Sequence, residues 1–143
     1  MLLSVLIVFI IFGASGSLHY FIMSYLLRRL PHSGWPRGLQ LLVGLYGVGA
    51  AHLAEAGFYA AGFLTGRALG VGGFQGTSDP MTFMEVYYFS IVNFTSLGLG
   101  DIYPTGHLRF IAGVESLSGF LLISCSATFI YLLVSGNYKP SRN

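Results

Sequence analysis

Val92-Asn93-Phe94-Thr95-Ser96-Leu97-Gly98-Leu99-Gly100-Asp101-Ile102-Tyr103-Pro104-Thr105-Gly106 (VNFTSLGLGDIYPTG) lies between long apolar runs, and its reading decides the fold. Gly98, Gly100 and Asp101 within four residues, with Pro104 three residues further on, give this stretch the chemistry of a loop. Yet the whole chain of 143 residues is 54% hydrophobic and 8% charged, with a mean hydropathy of +0.71. That composition belongs to an integral membrane protein rather than a soluble one. Loop backbone at membrane depth has to be buried in protein or line a water-filled path, because each unpaired polar group in lipid costs several kcal/mol.

Working outward, three segments reach the roughly 20 apolar residues needed to cross a bilayer: Leu2 to Leu27, Leu39 to Leu64 and Leu108 to Val134. The first has a small-residue stretch, Ala14-Ser15-Gly16-Ser17, of the kind found at signal-peptide cleavage sites. It lacks a basic leading region, however, and stays apolar as far as Leu27, so it is expected to be a retained helix. Arg28, Arg29 and Arg37, with Pro31, Trp35 and Pro36, mark the connection to the second span as cytoplasmic by the positive-inside rule. The tail, with Lys139 and Arg142, belongs on the same side, which puts the N-terminus and the segment from Arg67 to His107 outside. The expected division is an N-terminal span and basic loop over 1-37, a two-span domain holding the glycine loop over 38-136 and a cytoplasmic tail over 137-143.

Gly70 to Pro80 is loop by composition. Met81 to Phe94 then lacks glycine and proline, with Ser78 or Asp79 placed to cap its start and Pro80 tolerated at a first helical position. This predicts a helix of about 14 residues, roughly 20 Å long and too short to span the membrane. Such a helix can enter the bilayer and stop part-way, delivering the loop that follows. Four copies around an axis can then point backbone carbonyls inward to replace the water shell of a dehydrated cation. Gly98 and Gly100 can adopt left-handed dihedrals that turn successive carbonyls the same way. Ser96 would offer a hydroxyl at the inner mouth, Leu97 and Leu99 would pack behind the loop, and Asp101 would brace the outer end and attract cations. The short helix, ending near Phe94, would aim its negative dipole end at the ion path.

Tyr87 to Pro104 resembles the pore helix and selectivity filter of the potassium channel superfamily, whose usual filter reads TVGYGD followed closely by proline. The resemblance extends from about Glu85 to Tyr131, with Arg109 after the proline and Gly119 where such channels often carry a hinge. Among relatives the chain is most similar to small bacterial channel-like proteins with an extra N-terminal span. The resemblance implies a filter and potassium-binding segment formed by Thr95, Ser96, Leu97, Gly98, Leu99 and Gly100. Three departures stand out: Leu99 for the usual tyrosine or phenylalanine, which removes an aromatic hydroxyl clamp; Ser96 for threonine; and Val92 where some channels have a glutamate.

Other residues carry weaker signals. His52 and Glu55 fall three apart on one face of the second span, and ionisable groups at that depth suggest function by default. They form a candidate proton-sensing pair or, with His19, a metal cluster, against the plainer alternative of an interhelical packing contact. Glu115 is a candidate filter support, bonding to the back of the filter or to the pore helix. Ser116, Phe120, Ile123, Ala127 and Tyr131 form a helical stripe expected to line the pore, or else a packing surface. The small residues from Ala50 to Gly62 permit close helix contact. Cys125 is alone and forms no intrachain disulfide. The net charge of +2 excludes a nucleic-acid patch, and no span carries the repeated arginines of a voltage sensor.

The expected fold is therefore an all-α membrane protein with three transmembrane helices and a re-entrant pore helix and filter loop between the second and third, assembling as a homotetramer. The expected function is passive potassium conduction in the plasma membrane, without catalysis or cofactors, with membrane lipid as a partner and potassium as the permeant ligand. The only metal expected is monovalent potassium at the filter. A weakly selective cation channel and a non-conducting assembly subunit are the alternatives.

Overall fold

The computed structural model describes residues 1–76 and 81–135. Among the described residues, three helices are long and apolar enough to cross a membrane, and each extends a little beyond its sequence-predicted core. α1 runs over Leu2–Arg29, and its last turn holds Arg28 and Arg29, favourably placed for the helix dipole. Pro31 then falls in a 3-10 turn over Leu30–His32, where Ser33 Oγ donates to Leu30 O at 2.8 Å. Pro36, in extended conformation, leads into α2 (Arg37–Ala68).

The re-entrant helix, α3, spans Phe83–Phe94 and is shorter than its sequence-predicted length. Its start differs from expectation. Thr82 is the N-cap, accepting from the Glu85 backbone N–H while the Glu85 carboxylate accepts from Thr82 N at 2.7 Å. This reciprocal capping box satisfies two otherwise orphaned donors. The proposed caps Ser78 and Asp79, and Pro80 with them, lie outside the described residues, as does the tail over 137-143.

The outer loop is not all irregular. β1 (Phe74–Gln75) pairs antiparallel with β2 (Tyr103–Pro104), in register Phe74 with Pro104 and Gln75 with Tyr103. Thr105 N donates to Gly73 O at 2.7 Å and His107 N to Val71 O at 2.8 Å. The ribbon thus ties the segment before the re-entrant helix to the segment after the glycine loop. α4 (Leu108–Ser135) follows directly.

Two apolar clusters hold the helices together. The larger joins Val8 and Ile11 of α1, Tyr59 and Phe63 of α2, Val86, Phe89 and Phe94 of α3, and Leu108 and Ile111 of α4. The smaller joins Met23 and Leu26 with Val48, Phe129 and Leu133. Ala51, Ala56 and Ala60 are buried, so the small-residue run of α2 does serve close helix contact. Fully buried side chains of this kind each contribute roughly 1.5–3 kcal/mol when large and apolar, and here they fix α3 against both α2 and α4.

Candidate functional site

α3 ends in a Schellman arrangement. Leu97 N donates to Val92 O at 3.1 Å and Ser96 N to Asn93 O at 2.9 Å, so two terminal carbonyls of the helix find partners. The residue that turns the chain is Ser96, with φ of 59°, and it is the one non-glycine residue in the left-handed region among the described residues. A non-glycine side chain reaches that region at a cost of about 1–2 kcal/mol.

Beyond Ser96 the sign of φ alternates. Gly98 at 55° and Gly100 at 79° are left-handed, while Leu97 and Leu99 between them are not. In an ordinary strand successive carbonyls point to opposite sides. Alternating handedness instead lets them face one way, which the expected left-handed glycines only half anticipated. Space does not dictate these glycines, since a Cβ at either would meet nothing within 4 Å. Their dihedrals do.

Behind the loop lies a hydrogen-bonded brace. Glu115 of α4, fully buried, accepts from Asn93 Nδ2 at 2.7 Å and lies against the Ser90 hydroxyl. Ser90 Oγ also donates to Ala56 O of α2 at 2.6 Å, and Asn93 Nδ2 to Ala112 O at 2.9 Å. Ser116 Oγ reaches Asn93 O and Oδ1, both at 3.1 Å, and Ser96 Oγ reaches Ser116 O at 3.4 Å. Glu115 therefore bonds to the pore helix, one of the two partners its position allowed. Gly119 adds a close approach: a Cβ there would lie 1.8 Å from Phe94 O. The glycine is required by contact between α4 and the end of α3, and α4 runs through it without a break.

At the outer end Asp101 is held twice. Its Oδ2 accepts from the Tyr88 hydroxyl at 2.9 Å, and its Oδ1 from Ile102 N at 3.0 Å. That hydrogen bond, with some burial and the aspartate's charge, holds the Tyr88 hydroxyl above the usual tyrosine range. The structure supplies from α3 an aromatic hydroxyl to the loop, although Leu99 lacks one. Thr95 Oγ1 turns back to Val92 O at 3.0 Å.

Leu97 and Leu99 are 65% and 58% exposed, so their own chain covers less than half of each. Phe120, Ile123, Ala127 and Tyr131 are likewise exposed on α4, with Ser116 half-buried at the top of the same stripe.

A second polar cluster sits between α1, α2 and α4. His52 Nδ1 donates to Glu55 Oε2 at 2.8 Å and His19 Nδ1 to Glu55 Oε1 at 3.0 Å. Ser126 Oγ lies 3.0 Å from His52 Nε2, and the two imidazoles stack with centroids 5.5 Å apart. The His52 ring also packs 5.6 Å from the ring of Phe94, linking the cluster to the end of α3. The three ionisable groups offer metal-ligand atoms within 4.8 Å of one another. In this arrangement both Nδ1 atoms are already engaged by the carboxylate.

Sequence reasoning missed Ser90, Asn93, Tyr88 and Ser126. Ser90 and Asn93 had a signal, because their spacing of three puts two polar side chains on one face of a short apolar helix. Tyr88 and Ser126 depend on pairings that local pattern does not encode.

No curated protein and no solved structure matches the chain. A family model described as "Ion channel" matches residues 53–135, more than half of the sequence and all of the glycine loop, its brace and α4. The chain accordingly belongs to the ion channel family and carries a pore domain of the potassium channel superfamily.

Proposed function

We propose that the chain is one subunit of a homotetrameric, passive, potassium-selective channel whose filter is formed by the backbone of Thr95 to Gly100. The observation that carries this is the alternation of φ at Ser96, Gly98 and Gly100, which lets a row of carbonyls face one side. One such row surrounds only part of an ion, so conduction requires further copies. Exposed Leu97 and Leu99, and the exposed stripe of Phe120, Ile123, Ala127 and Tyr131, fit surfaces that neighbouring copies would cover or that would face the conduction path. Asp101 and Glu115 support the filter from its two ends, and Gly119 can double as a hinge. The N-terminus lies outside and the C-terminal end in the cytoplasm, by the placement of the arginines, in the plasma membrane.

Weakly selective cation conduction is the second reading, favoured by Leu99, whose exposed side chain has no hydroxyl to fix the filter. Gating at the His52 and Glu55 pair accompanies either reading. Facing groups are His19 from α1, Ser126 from α4 and Phe94 from α3, so a change of charge within the cluster would alter contacts among all four helices.

The test is purified protein in liposomes loaded with potassium, with its mass measured in parallel. Potassium efflux from a tetramer is expected. An intact tetramer that passes no cation would instead make the chain a non-conducting assembly subunit.

A further inference from the structure

We propose that the notch where α1 meets α2 is a binding site for an anionic phospholipid, with the headgroup phosphate at Arg28 and Arg29. It rests on the membrane character of the chain and not on potassium selectivity.

The notch is a cavity of about 590 Å³ between the end of α1, the 3-10 turn and α2. One wall is polar and cationic, formed by Arg28, Arg29, His32 and Ser33; the rest is apolar and aromatic, including Tyr25, Leu30 and Trp35. A second, largely apolar groove of about 560 Å³, open on the surface of α1, shares Tyr25, Leu26 and Arg28 with it and extends back past Tyr20 and Phe21. A charged mouth continuing into an apolar groove matches a molecule with an anionic head and an acyl chain. Soluble anions would leave the groove unfilled.

Charge complementarity argues the same way. All five carboxylate side chains of the sequence, Glu55, Asp79, Glu85, Asp101 and Glu115, come after residue 54. Glu55 is held by two histidines, Glu85 caps α3, Asp101 is held at the outer end of the loop and Glu115 lies behind it. α2 begins at the notch and runs 32 residues toward the opposite end of the fold, about 48 Å at 1.5 Å per residue. Glu55 is nearer, bonded to His19 nine residues before Arg28 and hence about 14 Å back along α1, but this is still beyond the ~8 Å screening length, and two imidazoles already hold it. Arg37 adds a further cation at the start of α2, where the helix dipole is also positive. Arg29 is already oriented, its guanidinium 5.7 Å from the centre of the Tyr25 ring. Among the described residues, the arginines of this end thus make no ion pair with a carboxylate side chain. An anionic membrane surface offers them a partner.

Trp35, the one tryptophan in the sequence, lines the notch and serves as a built-in reporter. The full chain would be reconstituted in phosphatidylcholine vesicles containing brominated phosphatidylglycerol or, in parallel, brominated phosphatidylcholine, and quenching of Trp35 measured. Each arginine near an anionic surface adds about fivefold to binding, so a preference of about fivefold or more for the anionic lipid is expected, falling toward one in 1 M salt. Arg28→Gln with Arg29→Gln should abolish the preference, and Arg109→Gln, on α4, should not. Equal quenching by the two lipids in the unaltered protein would overturn the proposal, as would a preference unchanged by salt or by the double substitution. Because the readout needs no ion flux, its failure is separable from failure of the channel reading.

Discussion

The front and the back of the glycine loop are built on opposite principles. In front, Thr95 to Gly100 is exposed, alternates the sign of φ and leaves two leucines uncovered. Behind it, Ser90 and Glu115 are fully buried, and together with Asn93 and Ser116 they hold α3 to α4 through side-chain hydrogen bonds. The contrast teaches that a strained backbone can present bare carbonyls only if something else fixes its position. The brace holds the helix ends behind the loop, and under the proposed function the loop's backbone carbonyls would face an ion.

Substitutions in the brace should therefore affect stability and conduction together, whereas substitutions in front should affect conduction more selectively. The largest effect is expected for Gly119→Ala, whose Cβ would meet Phe94 O at 1.8 Å. Overpacking costs typically 1–3 kcal/mol, occasionally more, so the thermal midpoint of the assembly should fall and potassium flux should be lost. A variant of normal stability and flux would show that α4 does not need to lie against the end of α3. Next comes Glu115→Ala, which leaves a cavity and one Asn93 N–H without its acceptor, a loss of about 2–4 kcal/mol by cavity and hydrogen-bond terms. Glu115→Gln keeps the shape and should cost much less; equal losses would remove the shape argument.

In front, Tyr88→Phe deletes the hydroxyl that reaches Asp101, worth about 1 kcal/mol or somewhat more for a charged acceptor. Channel openings should shorten while the thermal midpoint changes little. Unchanged single-channel records would indicate that Asp101 is held well enough by Ile102 N alone. The smallest effect is expected for Ser96→Gly. Relief of the left-handed serine is offset by the greater backbone freedom of glycine when unfolded, leaving a net gain under about 1 kcal/mol. A loss of stability would mean that the hydroxyl contact to Ser116 O outweighs the strain.

The contrast also explains what could be read in the sequence. The three spans follow from length and apolarity alone, and the left-handed glycines from their residue type. The Glu115 contact was foreseeable because a carboxyl in an apolar span must find partners. The Thr82 to Glu85 capping box was legible as a threonine followed by glutamate three residues on, but the nearer proline drew the expected start toward Ser78 and Asp79. The left-handed Ser96 was not legible, because serine does not demand that conformation and only the Schellman turn imposes it. Nor was the two-stranded ribbon, which pairs Phe74 with Pro104, 30 positions apart in the sequence. The exposed leucines reveal a different limit. Whether an apolar side chain is covered depends on neighbours outside the chain, and sequence pattern does not separate the two cases.

Reversal potential in bilayers under opposed potassium and sodium gradients tests the central claim most directly. Carbonyls aligned by the alternating loop predict a reversal close to the potassium equilibrium potential, moving with the potassium gradient when sodium is varied. A reversal near zero under the same gradients would contradict potassium selectivity.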